Sequence, residues 1–424
     1  MICLERDKSI LRECRSELNG VSSLDVKKLI VNNDGHGGFF QGRYTSREII
    51  ERELEIYVGT YVSIFGWCVT VGSKANYPSK VTEVIGEDVR VFPRRGDRRV
   101  AELLRGLISS GIDPLGLVID KCHEIKLDVY LSVRMNPDCD PKWMGEAFAR
   151  MYNSRFWWEN LHLRVRDRRG RLQIKMSYAF PEVRRFKLNI IGELLKYDVD
   201  GINLDFLRHP SFLGYEDPLI EDFKKEYGVS PLKLPEDDMR WLRFRARVMT
   251  CFMWDVRAML DKAGEDRGRR LRISVRGDHR DYLRHGLDIQ EWVRKGLIDH
   301  LIVSEHGLGG FTFPLKPFKR ITESSGCELY FGEEAVCSGH DLTPEEDRLL
   351  AEGKISEKAL HRRRLSLKEY CQRALKWHSE GADGIHIFND PNNREVFLIL
   401  GDIDKIKTYL KNEQKCASTS TSRS

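Results

Sequence analysis

The sequence predicts a single α/β domain, a (β/α)8 TIM barrel with elaborated loops at its C-terminal face. Three observations predict it. Eight short β-rich apolar runs recur along the chain. Amphipathic stretches of helical period separate them, and no ninth strand or glycine-rich first turn interrupts the series. The 424 residues would fit two or three average domains, but an elaborated barrel also fits as one.

The eight runs are KLIVNN (28–33), VSIFGW (62–67), DVYLSVRMN (128–136), GINLDF (201–206), LRISVR (271–276), HLIVSE (300–305), ELYFGE (328–333) and GIHIFN (384–389). Among the helical stretches, WLRFRARVMTCFMWDVRAML places Leu242, Ala246, Met249, Met253, Val256 and Leu260 on one face, with Arg243, Arg247 and Arg257 off it. A stripe of that kind packs on a sheet. Residues 1–24 read as a helical lead-in, 25–410 as the barrel, and 411–424, which end in small polar residues, as a disordered tail. Three long connections, 137–180, 208–238 and 335–362, follow strands three, four and seven. In a barrel those loops stand on the catalytic face.

Composition narrows the class of partner. Lys and Arg total 70 against 65 Asp and Glu, a net charge of +5. So small an excess points away from nucleic acid and from anionic membranes. The basic runs RVRDRRGR (164–171) and HRRR (361–364) read as solvated faces. Ten cysteines form no C-x-x-C pair and no Cys/His cluster with zinc spacing, so free thiols are expected and no metal site. The start, MICLERDKSILREC, carries charge where a signal peptide needs an apolar run, and no stretch approaches the ~20 apolar residues of a membrane span. A soluble, cytoplasmic chain is expected.

The polar residues at the strand ends carry the functional reading. A parallel barrel strand is buried on both faces, so polar groups within it need a reason. Strand one ends in Asn32, Asn33 and Asp34. Strand three carries Ser132, Arg134 and Asn136 at alternate positions, and strand four Asn203 and Asp205. Strand five carries Ser274 and Arg276; strand six ends in Ser304, Glu305 and His306. Strand seven ends in Glu333 and Glu334, strand eight in Asn389 and Asp390. Carboxylates, guanidinium groups and amides converging on one mouth suit a carbohydrate: Arg and Asn bind hydroxyls, and carboxylates handle protons and the anomeric carbon. Trp67, Trp157, Trp158, Tyr178, Phe180, Phe311 and Phe313 flank the same strand ends and offer flat faces to sugar rings. Taken singly, each residue also fits a loop anchor, an ion pair or core packing; Asp205 in particular could pair with Arg134 or Arg276. His300 and His386 read as structural.

The segment YAFPEVRRFKLNIIGELLKYDVDGINLDFLRHP (178–210) resembles the glycosyl-hydrolase-like family ten barrels. LSVRMN, ISVRGD, GLDIQEWVRKGLIDHLIVSE and GADGIHIFN resemble that family's other strands, extending the likeness from about Lys27 to Asn389. The resemblance implies a hydrolase acting on a glycan. It assigns Asp205 and Arg208 as the motif's Asp and Arg, with Arg134, Asn136, Arg276 and Asn389 as strand-end companions. The sequence departs from the pattern at Phe180, where His is usual, and at Leu207-Arg208-His209. Leu207 also stands where chitinase-like barrels carry a Glu, which disfavours substrate-assisted chemistry.

Most glycosidases place two carboxyl groups across the scissile bond. Asp205 is the first. Glu305 on strand six is the leading choice for the second, with Glu333 and Glu334 on strand seven as rivals. With Glu305, Asp205 is nucleophile or stabilising carboxylate; with strand seven it becomes the acid/base. Neither scheme needs a metal or cofactor. The competing class is a non-catalytic carbohydrate-binding barrel.

Overall fold

The computed structural model describes residues 28–207, 211–305, 313–389 and 392–421. The lead-in 1–24 and the candidates Arg208, His306, Phe311 and Asp390 lie outside them.

All eight expected runs are strands: β1 Lys28–Asn33, β2 Val62–Cys68, β3 Asp128–Arg134, β4 Gly201–Asp205, β5 Arg272–Asp278, β6 His300–Ser304, β7 Glu328–Glu334 and β8 Gly384–Phe388. They pair in parallel, each with its neighbours in sequence, and β8 pairs with β1 to close the barrel. The principal helices between them are α1 Arg47–Leu54, α2 Arg95–Ser109, α3 Pro114–Glu124, α4 Pro181–Leu194, α5 Met239–Arg267, α6 Ile289–Arg294, α7 Lys316–Thr322 and α8 Leu367–Ser379, with α9 Ile403–Thr421 after β8.

Strand alternation sorts side chains into two compartments. One set packs between strands and helices. There the α5 stripe from Leu242 to Leu260 is buried as expected. Arg243 and Arg247 face solvent, but Arg257 turns inward, pairing with Asp299 at 3.2 Å and donating to the Leu271 carbonyl at 2.8 Å. Its charge is satisfied at the base of β5 and β6, which a helical-face argument does not foresee. The other set fills the barrel: Ile30, Ile64, Tyr130, Ile302 and Tyr330 form a separate cluster. Its two tyrosines fit because glycine stands beside each. A Cβ on Gly201 would lie 2.9 Å from Tyr130, and one on Gly384 2.5 Å from Tyr330.

The long connections carry structure of their own. Two-stranded antiparallel ribbons form at Arg164–Arg166 with Leu172–Met176, and at Val336–Ser338 with Arg363–Arg364. A third, Thr70–Val71 with Lys74–Ala75, opens a long connection after β2, in addition to the three expected from the sequence. The chain thus has strands beyond eight, all outside the barrel. Of the tail expected to be disordered, residues 411–421 belong to α9, which runs on to Thr421, and 422–424 lie outside the described residues. Lys411, Glu413, Gln414 and Lys415 are helix formers, and they extend a helix anchored by the fully buried Ile406.

Candidate active site at the barrel mouth

Residues sharing the parity of the interior cluster lead upward to the C-terminal mouth. From Tyr130 the line on β3 runs through Ser132 to Arg134. Arg134 lies in register with Asp205, and Asp205 with Arg276. On β7 the line from Tyr330 ends at Glu334, and on β8 the line from Gly384 runs through His386 to Phe388.

Arg276 is the hub. Its Nη2 donates to Glu334 Oε1 at 2.6 Å, and its Nη1 lies 3.5 Å from Asp205 Oδ2. Arg276 and Asp205 are fully buried and Glu334 nearly so. The guanidinium also sits 4.2 Å above the Phe388 ring, so an apolar face supports the cation from below. Asp205 Oδ1 accepts from the Leu207 N–H at 3.1 Å, while its Oδ2 makes no hydrogen bond among the described residues. Asn389 donates to Glu334 Oε2 at 3.4 Å from a left-handed backbone, φ +61°. Such strain in a non-glycine residue is common where a side chain must be aimed. Beneath the hub, burial and the Arg276 charge hold His386 well below the usual histidine range, so it stays neutral.

Several candidates lie elsewhere. Trp67 has the opposite parity. It stacks on Tyr44 and packs on Phe65 in the helix layer, 1% exposed. Tyr178 is fully buried between Phe212 and Phe252, its hydroxyl donating to the Met135 carbonyl at 2.7 Å. Neither offers a face to a sugar. Trp157 and Phe313 are likewise buried in packing. Among the described residues, Phe388 brings an aromatic ring to the mouth. Glu333 turns outward to Arg373 on α8 at 2.5 Å, and burial pushes its carboxyl up to about 8 against the pull of that arginine. Glu305 follows β6 with the outward parity, and its ion-pair neighbours are His279 at 3.9 Å and Arg280 at 3.7 Å rather than Asp205. Asn136 binds loops: its amide donates to the Met176 and Ser211 carbonyls at 3.3 and 3.1 Å.

Asp34 and Cys68 join the mouth from β1 and β2. Asp34 Oδ1 accepts from the N–H groups of His36 and Gly37 at 2.9 and 2.7 Å. Burial raises its carboxyl, but His36, those two N–H groups and Arg134 together bring it below the usual range. The signal was in the sequence: Asp34 is two residues past Asn32 and four past Ile30, on one parity. Among the described residues no group of His, Cys, Asp and Glu has the arrangement to hold a metal ion, and no helix is long and apolar enough to cross a membrane.

A model of the glycosyl hydrolase-like 10 family matches residues 91–307, a little over half of the chain. The chain belongs to that family. The match spans β3 to β6 and contains Arg134, Asp205 and Arg276. No curated protein sequence matches this glycosyl hydrolase-like 10 chain. Among solved structures it is similar to α-L-fucosidase isoenzyme 2 from Paenibacillus thiaminolyticus, with a TM-score of 0.53 and 16% identity over 91% of this chain and 49% of that one. It is also similar to a β-galactosidase from the psychrophilic Marinomonas ef1, with a TM-score of 0.52 and 11% identity over 92% of this chain and 60% of that one. The glycosyl hydrolase-like 10 chain therefore spans between half and three fifths of the length of these two proteins. At such identities the likeness establishes the fold, a barrel of the kind glycosidases use.

Proposed function

We propose that this barrel hydrolyses a glycosidic bond at its mouth, with Asp205 and Glu334 as the carboxyl pair. The observation that carries the proposal is that these two carboxylates, from β4 and β7, meet on opposite nitrogens of one guanidinium, that of Arg276. Most glycosidases act through two carboxyl groups across the scissile bond, and this pair comes from two different strands of one mouth. Glu334, oriented by a short charge-assisted bond, suits the nucleophile or stabilising carboxylate. Asp205, whose Oδ2 has no hydrogen bond among the described residues, suits the acid/base that protonates the departing glycosidic oxygen and then accepts a proton from water. Arg134 and Asn389 border the same space. The family and the barrel support a carbohydrate substrate.

The second reading, a non-catalytic carbohydrate-binding barrel, draws on the full burial of Asp205 against Arg276. A panel of chromogenic glycosides and oligosaccharides, run with wild type, Asp205→Asn and Glu334→Gln, separates the two. Hydrolysis by wild type that both variants abolish supports the enzyme. Glycan binding without turnover supports the module.

A further inference from the structure

We infer that the C-terminal face carries a second carbohydrate site outside the mouth, a groove between the first turn of α5 and the connection from β5 to α6, which holds a glycan chain. The inference goes beyond the hydrolase reading above, and the two can fail separately.

The groove is a cavity of about 610 Å³, within the span of about 300–1,000 Å³ that small-ligand sites occupy. Helical spacing builds one wall. Asp238 caps α5 by accepting from the Arg240 N–H at 2.9 Å, and the helix then presents Met239, Leu242 and Arg243 at i, i+3 and i+4 on one side. Tyr282 and Arg284 form another wall, from the connection that leaves β5 just beyond Arg276. That connection is held in place. Arg245, buried on α5, donates to the Arg284 and Leu213 carbonyls, each at 3.0 Å. The Leu287 N–H closes the turn on the Tyr282 carbonyl at 2.9 Å, and the Tyr282 ring packs against Phe318 of α7, 6.2 Å between centroids. Asp281 has a left-handed backbone, φ +49°, a strain kept where the surrounding structure holds it.

Some of the charge lining the groove is satisfied within it. Arg294 donates to both Glu291 oxygens at 2.8 Å, and Asp288 caps α6 by accepting from the Glu291 N–H at 3.1 Å. Three charged side chains are left over. Arg243, Arg284 and Asp281 are exposed at the groove and form no hydrogen bond or ion pair among the described residues. The half-buried Tyr282 lines the same cavity. This combination selects the ligand. An apolar ligand would leave the three charges unmet, and an anion would meet the Asp281 carboxylate as well as the guanidinium groups. A glycan uses every part. Its hydroxyls both give and take hydrogen bonds, so two donors and one acceptor serve them, while the C–H face of a ring rests on Tyr282. Because the backbone of the wall is already fixed, only side chains are ordered on binding.

The test runs the full chain in native gels cast with and without a soluble polysaccharide: xylan, mixed-linkage β-glucan, galactomannan or pectin. Binding slows migration, and the polysaccharide concentration that halves it gives an apparent Kd. Arg243→Met and Arg284→Met are each expected to weaken that Kd roughly 3- to 10-fold, the scale of one net hydrogen bond. Tyr282→Ala should weaken it at least as much, since the stacking face is lost. Arg98→Met, the same change at an exposed position away from the groove, should be retarded like wild type. Both groove arginines are exposed, so their variants should melt with wild type; if Tyr282→Ala melts lower, the arginine variants decide. The site is overturned if none of the four polysaccharides retards wild type, if all three groove variants keep full retardation, or if Arg98→Met loses as much as they do. Retardation lost in the groove variants, with no glycoside hydrolysed by wild type, sinks the hydrolase reading alone. Hydrolysis by wild type, with retardation unchanged in the groove variants, sinks the groove alone.

Discussion

Asp205 Oδ2 lies 3.5 Å from Arg276 Nη1, both side chains without solvent exposure. The distance gives charge contact without a hydrogen bond. Asp205→Asn therefore removes a charge whose loss Glu334 partly covers at 2.6 Å from the same guanidinium. The variant should lose at least ~10²–10⁴-fold in turnover, as for one proton-transfer group. Its stability should fall by less than the ~3–5 kcal/mol of a stranded buried charge. Thermal melts and turnover on one sample check this; activity that only tracks the folded fraction would make Asp205 structural.

Arg276→Met is the harsher change. It leaves Asp205 and Glu334 buried without their shared cation, and a cost of about 3–5 kcal/mol is expected in urea unfolding. Arg276→Lys should fall between, since an ammonium cannot serve both carboxylates through one planar fork. An Arg276→Met protein as stable as wild type would show that the hub does not hold the mouth together.

The three glutamates near the mouth should separate cleanly. Glu334→Gln should abolish turnover with a modest stability change. Glu305→Gln, at a part-exposed position beside His279 and Arg280, should leave turnover close to wild type. Glu333→Gln breaks the pair with Arg373 and should alter stability while kcat for the folded protein holds. Loss of activity in Glu305→Gln with an active Glu334→Gln would return the second carboxylate to β6.

Trp67 offers a contrast between packing and recognition. Trp67→Ala should cost about 3–5 kcal/mol, as for a buried aromatic, and leave glycan affinity of the folded protein unchanged. A calorimetric titration showing weakened glycan binding at unaltered stability would move Trp67 back into the site.

His300 sets an acid limit. It stacks on Tyr130 at the floor of the barrel, and burial pushes it down to about 4 from an ordinary 6.5, with Glu328 pulling the other way. Between those values the unfolded chain takes up a proton that the folded chain refuses. The stabilisation is full above pH 6.5 and is lost as pH falls toward 4, by roughly 2–4 kcal/mol. Unfolding free energies measured across that window should slope down, and His300→Gln should flatten the slope.

The barrel was legible because each strand pairs periodic apolar content with turn signals, and all eight runs fall within about two residues of the observed strands. The mouth was legible only as a set of strand ends. Both faces of a parallel barrel strand are apolar, so Phe331 and Tyr330 look alike in sequence although one faces α8 and the other the interior. That ambiguity sent Trp67 and Glu333 to the wrong side and left Glu334 level with its neighbour. Asp205 escaped it because Asn203 marks the same parity two residues earlier. Tyr178 failed for another reason: it sits in a connection, where no alternation rule applies.

The ribbons and the longest connections all gather at one pole, whereas the helix-to-strand turns at the other span only a few residues. At two of these turns, Gly268 and Gly296, a side chain would meet nothing within 4 Å. Circular permutation there would open new termini far from Arg276 and leave the mouth's own loops uncut. Variation at the mouth and upkeep of the barrel are thus assigned to opposite ends of one molecule, and each can vary without the consent of the other.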